Sequence, residues 1–408
     1  MKILLMLTQA TLLFYGTQLF PIGGILDPVR FICYGLIIIS GIFILSKIGK
    51  RKFHLFDLIA WGTLGFAFYS YSYSLHPKLT LLRSTANLLM YVAVFWVLWS
   101  SCRNDADVLR FVHVLILVWF VFYGANIAFL YFRPQDSFII HEGEYVADDY
   151  QRFMGITINP NAIGEFSAII LPLVLWNFHR RANLLNLLLL MAVVFSFFYS
   201  FSRNAFIFGV IGSSAYFYLA TRAHRTFIIV CTVFLIALMI LYVDLFGLFL
   251  PSGLVREDSL MLLGGRLEAW QASFELINKH PFRGHGFGIE EFLFPYFQYR
   301  FEVHAGTNVH NSFLGLALQL GWIVALTVYI PLVIFLVRSF IRVFRLRGEF
   351  QPLTSALYAS VLSGFSISFF ESWLYSAGGI LAFPFFTFLM LLMRLLEFQK
   401  NPVRLATA

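Results

Sequence analysis

The sequence predicts an all-α, polytopic integral membrane protein with about twelve spanning helices and one large outer loop that holds short helices of its own. Three observations predict it. Of the 408 residues, 60% are hydrophobic and only 12% are charged, against roughly 25% charged in a soluble domain. Phenylalanine alone supplies 49 residues, which suits lipid contact and interfacial belts better than a soluble core. The apolar residues also gather into stretches close to the ~20-residue length that crosses a bilayer.

Those stretches fall at roughly 3–20, 31–46, 55–75, 84–100, 108–132, 156–178, 182–201, 204–220, 226–247, 322–344, 353–371 and 374–396. The first follows Met1 and Lys2 as a signal peptide would, but it runs on to Phe20 without a small-residue cleavage site. A retained first span is expected. The second and eighth are short for a crossing. Lysine and arginine then sort the connections. The inner ones hold Lys47, Lys50, Arg51, Lys52, Arg103, Arg180, Arg181, Arg222, Arg225, Arg338, Arg342, Arg345 and Arg347, and the tail adds Lys400 and Arg404. The short outer loops are poor in positive charge, and the one after the fifth span is acidic through Glu142, Glu144, Asp148 and Asp149. Twelve spans with both termini cytoplasmic satisfy every loop. The net charge of +8 thus serves orientation in membrane lipid, and no nucleic-acid partner is expected.

This topology makes residues 1–408 a single transmembrane domain and places one long connection, 248–308, on the outer face between the ninth and tenth spans. It is too long for a plain connection. Leu267, Trp270, Phe274 and Ile277 recur at helical spacing within 266–278, and Lys279-His280-Pro281 closes that helix. A short helix over 311–319, capped by Thr307 or Asn308, is expected to break near Gly321. Gly284-His285-Gly286-Phe287-Gly288 lacks the spacing of a dinucleotide loop and reads as a tight turn that lets backbone approach a neighbour. The three cysteines, Cys33, Cys102 and Cys231, have neither disulfide nor metal spacing.

Three polar groups share the outer side: Arg203, Arg266 and His310. Two arginines distant in sequence but on one face suit a diphosphate, because the planar guanidinium engages phosphate oxygens in pairs. A histidine can accept a proton from a hydroxyl near neutral pH. Each alone reads as an interfacial arginine or a polar cap; together on one face they read as a site. His285 and His304 compete with His310 for the basic role. Asp105 and Asp107 resemble a metal-binding pair, but they lie in a very short inner loop and read as solvated, so neither metal nor cofactor is expected. Glu165, Arg83, Arg110, His113, Asp244 and Glu371 fall within apolar stretches, where ionisable groups are costly. Glu165 stands out, one turn after Asn159-Pro160-Asn161. A proton-coupled transporter would use such residues, but it should show related halves and polar broken helices at the midplane; no such symmetry is visible, and the polar trio sits at one surface.

At these motifs the chain resembles the O-antigen ligase family of bacterial inner-membrane proteins, which also takes in polysaccharide polymerases. The matching pieces are Arg152-Phe153-Met154-Gly155 with Asn159-Pro160-Asn161, Ser202-Arg203, Gly265-Arg266 with Trp270, Pro281 with Gly284-His285-Gly286, and His310-Asn311-Ser312 with Gly321. The resemblance covers about 150–325. It implies a metal-independent, inverting glycosyl transfer at the periplasmic face of the inner membrane. The donor would be a glycan on undecaprenyl diphosphate. The acceptor would be a sugar of the lipid A core for a ligase, or a second lipid-linked glycan for a polymerase. It also implies that Arg203 and Arg266 hold the diphosphate, that His310 activates the acceptor hydroxyl, and that Asn311, Arg283, His285 and Asn161 contact substrate. No outer-loop arginine is followed eleven residues later by glycine, as in some polymerases of this type, which leans the reading towards the ligase.

Overall fold

A computed structural model describes residues 22–45, 53–141, 150–157, 159–221, 266–301, 307–377 and 379–399, with a few further positions near 7–11 and 228–233. The expected first and ninth spans fall mostly outside the described residues. So do 248–265 of the large loop, His304, and the basic residues of the tail.

Among the described residues the chain is almost wholly helical. The helices are α1 (Ile22–Leu45), α2 (Leu55–Tyr69), α3 (Pro77–Ser101, with a π segment at Val92–Leu98), α4 (Asp105–Phe132), α5 (Pro160–Arg180), α6 (Leu184–Tyr199) and α7 (Arg203–Ala220). The later ones are α8 (Arg266–Lys279), α9 (Glu290–Tyr296), α10 (Ser312–Leu320), α11 (Trp322–Arg345), α12 (Gln351–Ile367) and α13 (Ala382–Phe398). Four of them, α3, α4, α5 and α11, are long and apolar enough to cross a membrane. The 353–371 stretch is shorter as a helix than expected: α12 stops at Ile367, and the turn after it carries Glu371.

One element was not expected from the sequence. Between α4 and α5 the chain forms a hairpin, β1 (Phe138–His141) against β2 (Tyr150–Phe153), with Phe138 opposite Phe153 and Ile139 opposite Arg152. Phe153 is fully buried against Phe195. Its register turns Arg152 towards the start of α5, where the guanidinium bonds Asn161 and the Ser200 carbonyl.

Helix packing in the middle of the molecule depends on small residues. α12 lies against α5 and α7, and a Cβ at Gly212 of α7 would collide with Ser363 of α12. In lipid, where apolar surface gains nothing by leaving water, such close backbone approach is the main source of association. Ser363 also donates across the interface to the Ala168 carbonyl at 3.2 Å.

The 281–288 segment is the tight turn expected, and it fixes α10. His285 and Gly286 donate backbone N–H groups to the Leu318 and Gln319 carbonyls at 3.0 and 2.9 Å, and Trp322 donates to the Pro281 carbonyl at 2.8 Å. Gly284, at φ +64°, lies so close to the Gln319 backbone that a Cβ would overlap it. The turn also docks on α3: Thr80 donates to the Phe287 carbonyl, and Arg83 pairs with Glu291. The end of α10 is thereby anchored, and its first residues face the turn after α12.

Candidate active site

The α10 cap differs from expectation in one respect. Asn311 caps the helix, not Thr307 or Asn308: its side chain accepts from the Leu314 N–H at 3.0 Å in extended backbone conformation. The reason lies one residue earlier. His310 has φ +51°, which turns the chain sharply into the helix and leaves Asn311 as the entry residue. A non-glycine residue there carries strain of order 1–3 kcal/mol, so surrounding bonds must hold it.

Those bonds come from the turn after α12. Ser312 N–H donates to the Ser368 carbonyl at 2.7 Å, Ser312 Oγ–H donates to the Glu371 carbonyl at 2.6 Å, and Asn311 N–H donates to Ser372 Oγ at 3.2 Å. Two chain segments sixty-one residues apart are thus laced side by side, which brings the Glu371 side chain to the two residues of interest. Its Oε2 lies 2.8 Å from His310 Nδ1, and its Oε1 lies 2.5 Å from an Arg266 Nη at the start of α8. The Arg266 and Glu371 side chains are 18% and 13% exposed, so the ion pair is only weakly screened by water. Arg266 also reaches Asn204 of α7. With the amide oxygen turned towards it, Asn204 accepts from both guanidinium nitrogens at 2.5 and 3.0 Å.

The chemistry follows from Glu371 being shared. An ionised carboxylate at Nδ1 makes Nδ1 the N–H donor, so the lone pair sits on Nε2. This is the arrangement in which an imidazole takes a proton from a hydroxyl while a carboxylate steadies the cation that forms.

Arg203 begins α7 behind the Ser202 cap and is half-buried. It adjoins Asn204, so the structure brings its backbone to the Arg266 end of the cluster. Glu165, on the first turns of α5, is buried, and its Oε1 has no hydrogen-bond partner among the described residues. It lies within electrostatic range of Glu371, Arg266 and Arg152.

The other expected contact residues are placed differently. Asn161 is held by Arg152, and Asn311 is occupied as a helix cap. Arg283 is exposed and lies over the Tyr73 ring at 5.4 Å. His285 is 7% exposed, with Nε2 2.9 Å from the Leu276 carbonyl, between the His280 and Phe297 rings. The structure does not bring Arg283 or His285 to Glu371. The sequence reading missed Glu371 as a partner. Its only signal there was an acid at the edge of an apolar run.

Burial holds the His285 imidazole below its ordinary range against the pull of the Leu276 carbonyl, and the charges of Lys279 and Arg283 act the same way as burial. A lowered histidine pKa means that the neutral ring stabilises the fold. That contribution is complete above the unfolded value of about 6.5 and is lost as pH falls from there through the folded value. We expect the melting temperature in detergent to drop on acidification through this window. His285→Asn should flatten the drop, and an unchanged pH dependence in that variant would refute the assignment.

The family described as O-Antigen ligase matches residues 187–330, a segment that holds Arg203, Arg266 and His310 and ends before Glu371. The resemblance seen in the sequence is thereby supported for this part of the chain. No curated protein matches the chain.

Proposed function

We propose that this chain, which carries an O-antigen ligase segment across 187–330, transfers a glycan from undecaprenyl diphosphate to a lipid A-core sugar at the periplasmic face of the bacterial inner membrane. The observation that carries the proposal is the single carboxylate of Glu371 bridging Arg266 and His310.

In this reading His310 Nε2 accepts the proton of the acceptor hydroxyl. The hydroxyl oxygen attacks the anomeric carbon from the face opposite the diphosphate, and the bond from that carbon to the phosphate oxygen breaks. The configuration inverts. Arg266 and Arg203 stabilise the charge gathering on the departing diphosphate, the kind of electrostatic assistance that acts most strongly out of bulk water. The leaving group is already good, so the chain's own side chains suffice and no metal is invoked.

Two further features support the reading. An apolar groove of about 620 Å³ runs between α7, α11 and α12, lined by residues such as Phe208, Leu336, Phe340 and Phe369, and reaches Phe370, the neighbour of Glu371. It suits the tail of a lipid-linked donor whose diphosphate sits at Arg266. Arg180 at the end of α5 lines one cavity with Phe350 at the start of α12, whereas Glu371 follows the end of α12, so the cluster lies at the opposite end of α12 from Arg180. Arg180 and Arg345 close α5 and α11 at the other end. By the positive-inside rule that basic end is cytoplasmic, which supports cytoplasmic termini and an outward-facing site.

Reconstitution with lipid-linked glycan and two acceptors, lipid A core and a second lipid-linked glycan, tests the proposal. Glycan on lipid A core is expected. A lengthened lipid-linked glycan would instead make the chain a polymerase with the same donor, and no covalent product at all would sink the catalytic reading.

A further inference from the structure

Below the His310 backbone lies a buried carboxyl group that the mechanism above does not use. Glu290, the first residue of α9, is 4% exposed. Its Oε1 accepts from the Val309 N–H at 2.6 Å. Its Oε2 accepts from the Tyr375 hydroxyl and, at 3.4 Å, from the Gln319 amide. The group reaches this position through a slot: Gly315 faces it from the first turns of α10, and a Cβ there would collide with Tyr375 Oη and Glu290 Oε2.

The other side of the same residue is also held. The Val309 carbonyl accepts from the Trp270 indole N–H at 3.0 Å, and Trp270 lies on α8 one turn after Arg266. Val309 is fully buried. The residue before the left-handed His310 therefore has its N–H tied to a carboxyl and its C=O tied to an indole, by side chains from two different helices. An unsupported chain would relax φ at His310 to negative values and swing the imidazole away from Glu371.

From this geometry we infer that Glu290 and Trp270 are positioning residues, which clamp Val309 from both sides and thereby keep His310 in its left-handed conformation with Nδ1 on Glu371. The inference rests on the reading of His310 as the base. Burial, opposed by the bonds from Tyr375, Ser372 and Val309, pushes the Glu290 carboxyl above its ordinary range. Glutamine, a neutral isostere, is therefore the fitting conservative replacement. The clamp also gives Trp270 a defined part: its indole N–H meets a backbone carbonyl beside the base.

The test is steady-state transfer by purified, reconstituted full-length chain, with wild type and H310A as references. W270F removes one N–H and keeps the ring; E290L removes the acceptor; E290Q keeps an oxygen for Val309. Each of W270F and E290L is expected to lower kcat about tenfold, the effect of one lost buried hydrogen bond, with donor KM changed less than about twofold. Because both act on one residue, the double variant should fall well short of the ~100-fold loss that independent sites would give. E290Q should recover most of the E290L loss. W270F at full rate, losses seen in KM instead of kcat, or a fully multiplicative double variant would each overturn the clamp while wild type still works. Should E290L fail to fold, W270F alone decides, through its kcat and KM. A wild-type chain that moves no glycan overturns the reading of His310 and this inference with it.

Discussion

His310→Ala is expected to lower glycan transfer by about a hundredfold to ten-thousandfold, the usual worth of a positioned general base, while donor binding stays near normal. The expectation follows from the division of labour proposed at Glu371, with Arg266 and Arg203 at the diphosphate and the imidazole at the acceptor. Its φ of +51° supplies an internal control. Alanine at that φ keeps the backbone strain, whereas glycine adopts it freely. His310→Gly should therefore melt at or above the temperature of His310→Ala and be just as inactive. Rates of transfer and melting curves on the same preparations check both points. If either variant retained near-wild-type transfer, His310 would not be the base.

How much of this was legible in the sequence depended on the kind of signal. The α8 and α10 helices follow from apolar spacing and polar punctuation, and both appear within a residue or two of the expected ranges. Arg266 and His310 stand out in the sequence because, with Arg203, they share the outer face of the expected topology. Glu371 offered no partner in the sequence, since its two contacts lie sixty-one and a hundred and five residues upstream. Only the lacing of Ser312 to the turn after α12 creates the pairing, and backbone bonds between distant segments leave no period or motif.

The hairpin was missed for a different reason. Its strands are four residues each, too short to show an alternating pattern, and they flank an acidic stretch. Strand register turns Arg152 to Asn161 and the Ser200 carbonyl. His285 belongs to one of the matching motifs and Arg283 lies beside it, but the glycine turn docks on α3 and α10, which points the His285 imidazole at the Leu276 carbonyl of α8 and lays Arg283 over the Tyr73 ring. Position in a loop tells that a residue is outside the membrane; only the backbone route tells which way it faces.

Glu371→Gln is the sharpest test of the shared carboxylate, because the isosteric amide cannot satisfy both neighbours. If its oxygen faces His310, its NH2 group faces the Arg266 guanidinium, two donors meet, and the ion pair is lost. If its NH2 faces His310, Nδ1 must accept, the ring proton moves to Nε2, and the lone pair needed for the acceptor hydroxyl is gone. The analogous tautomer error in serine proteases is worth about ten-thousandfold. Here a loss of at least about a hundredfold in kcat is expected, on the same reasoning. Glu371→Asp, which keeps the charge on a shorter arm, should lose less. A Glu371→Gln chain that transfers glycan at the wild-type rate would show that His310 does not depend on a carboxylate at Nδ1. Arg266 and the acceptor site would then have to be treated as independent parts.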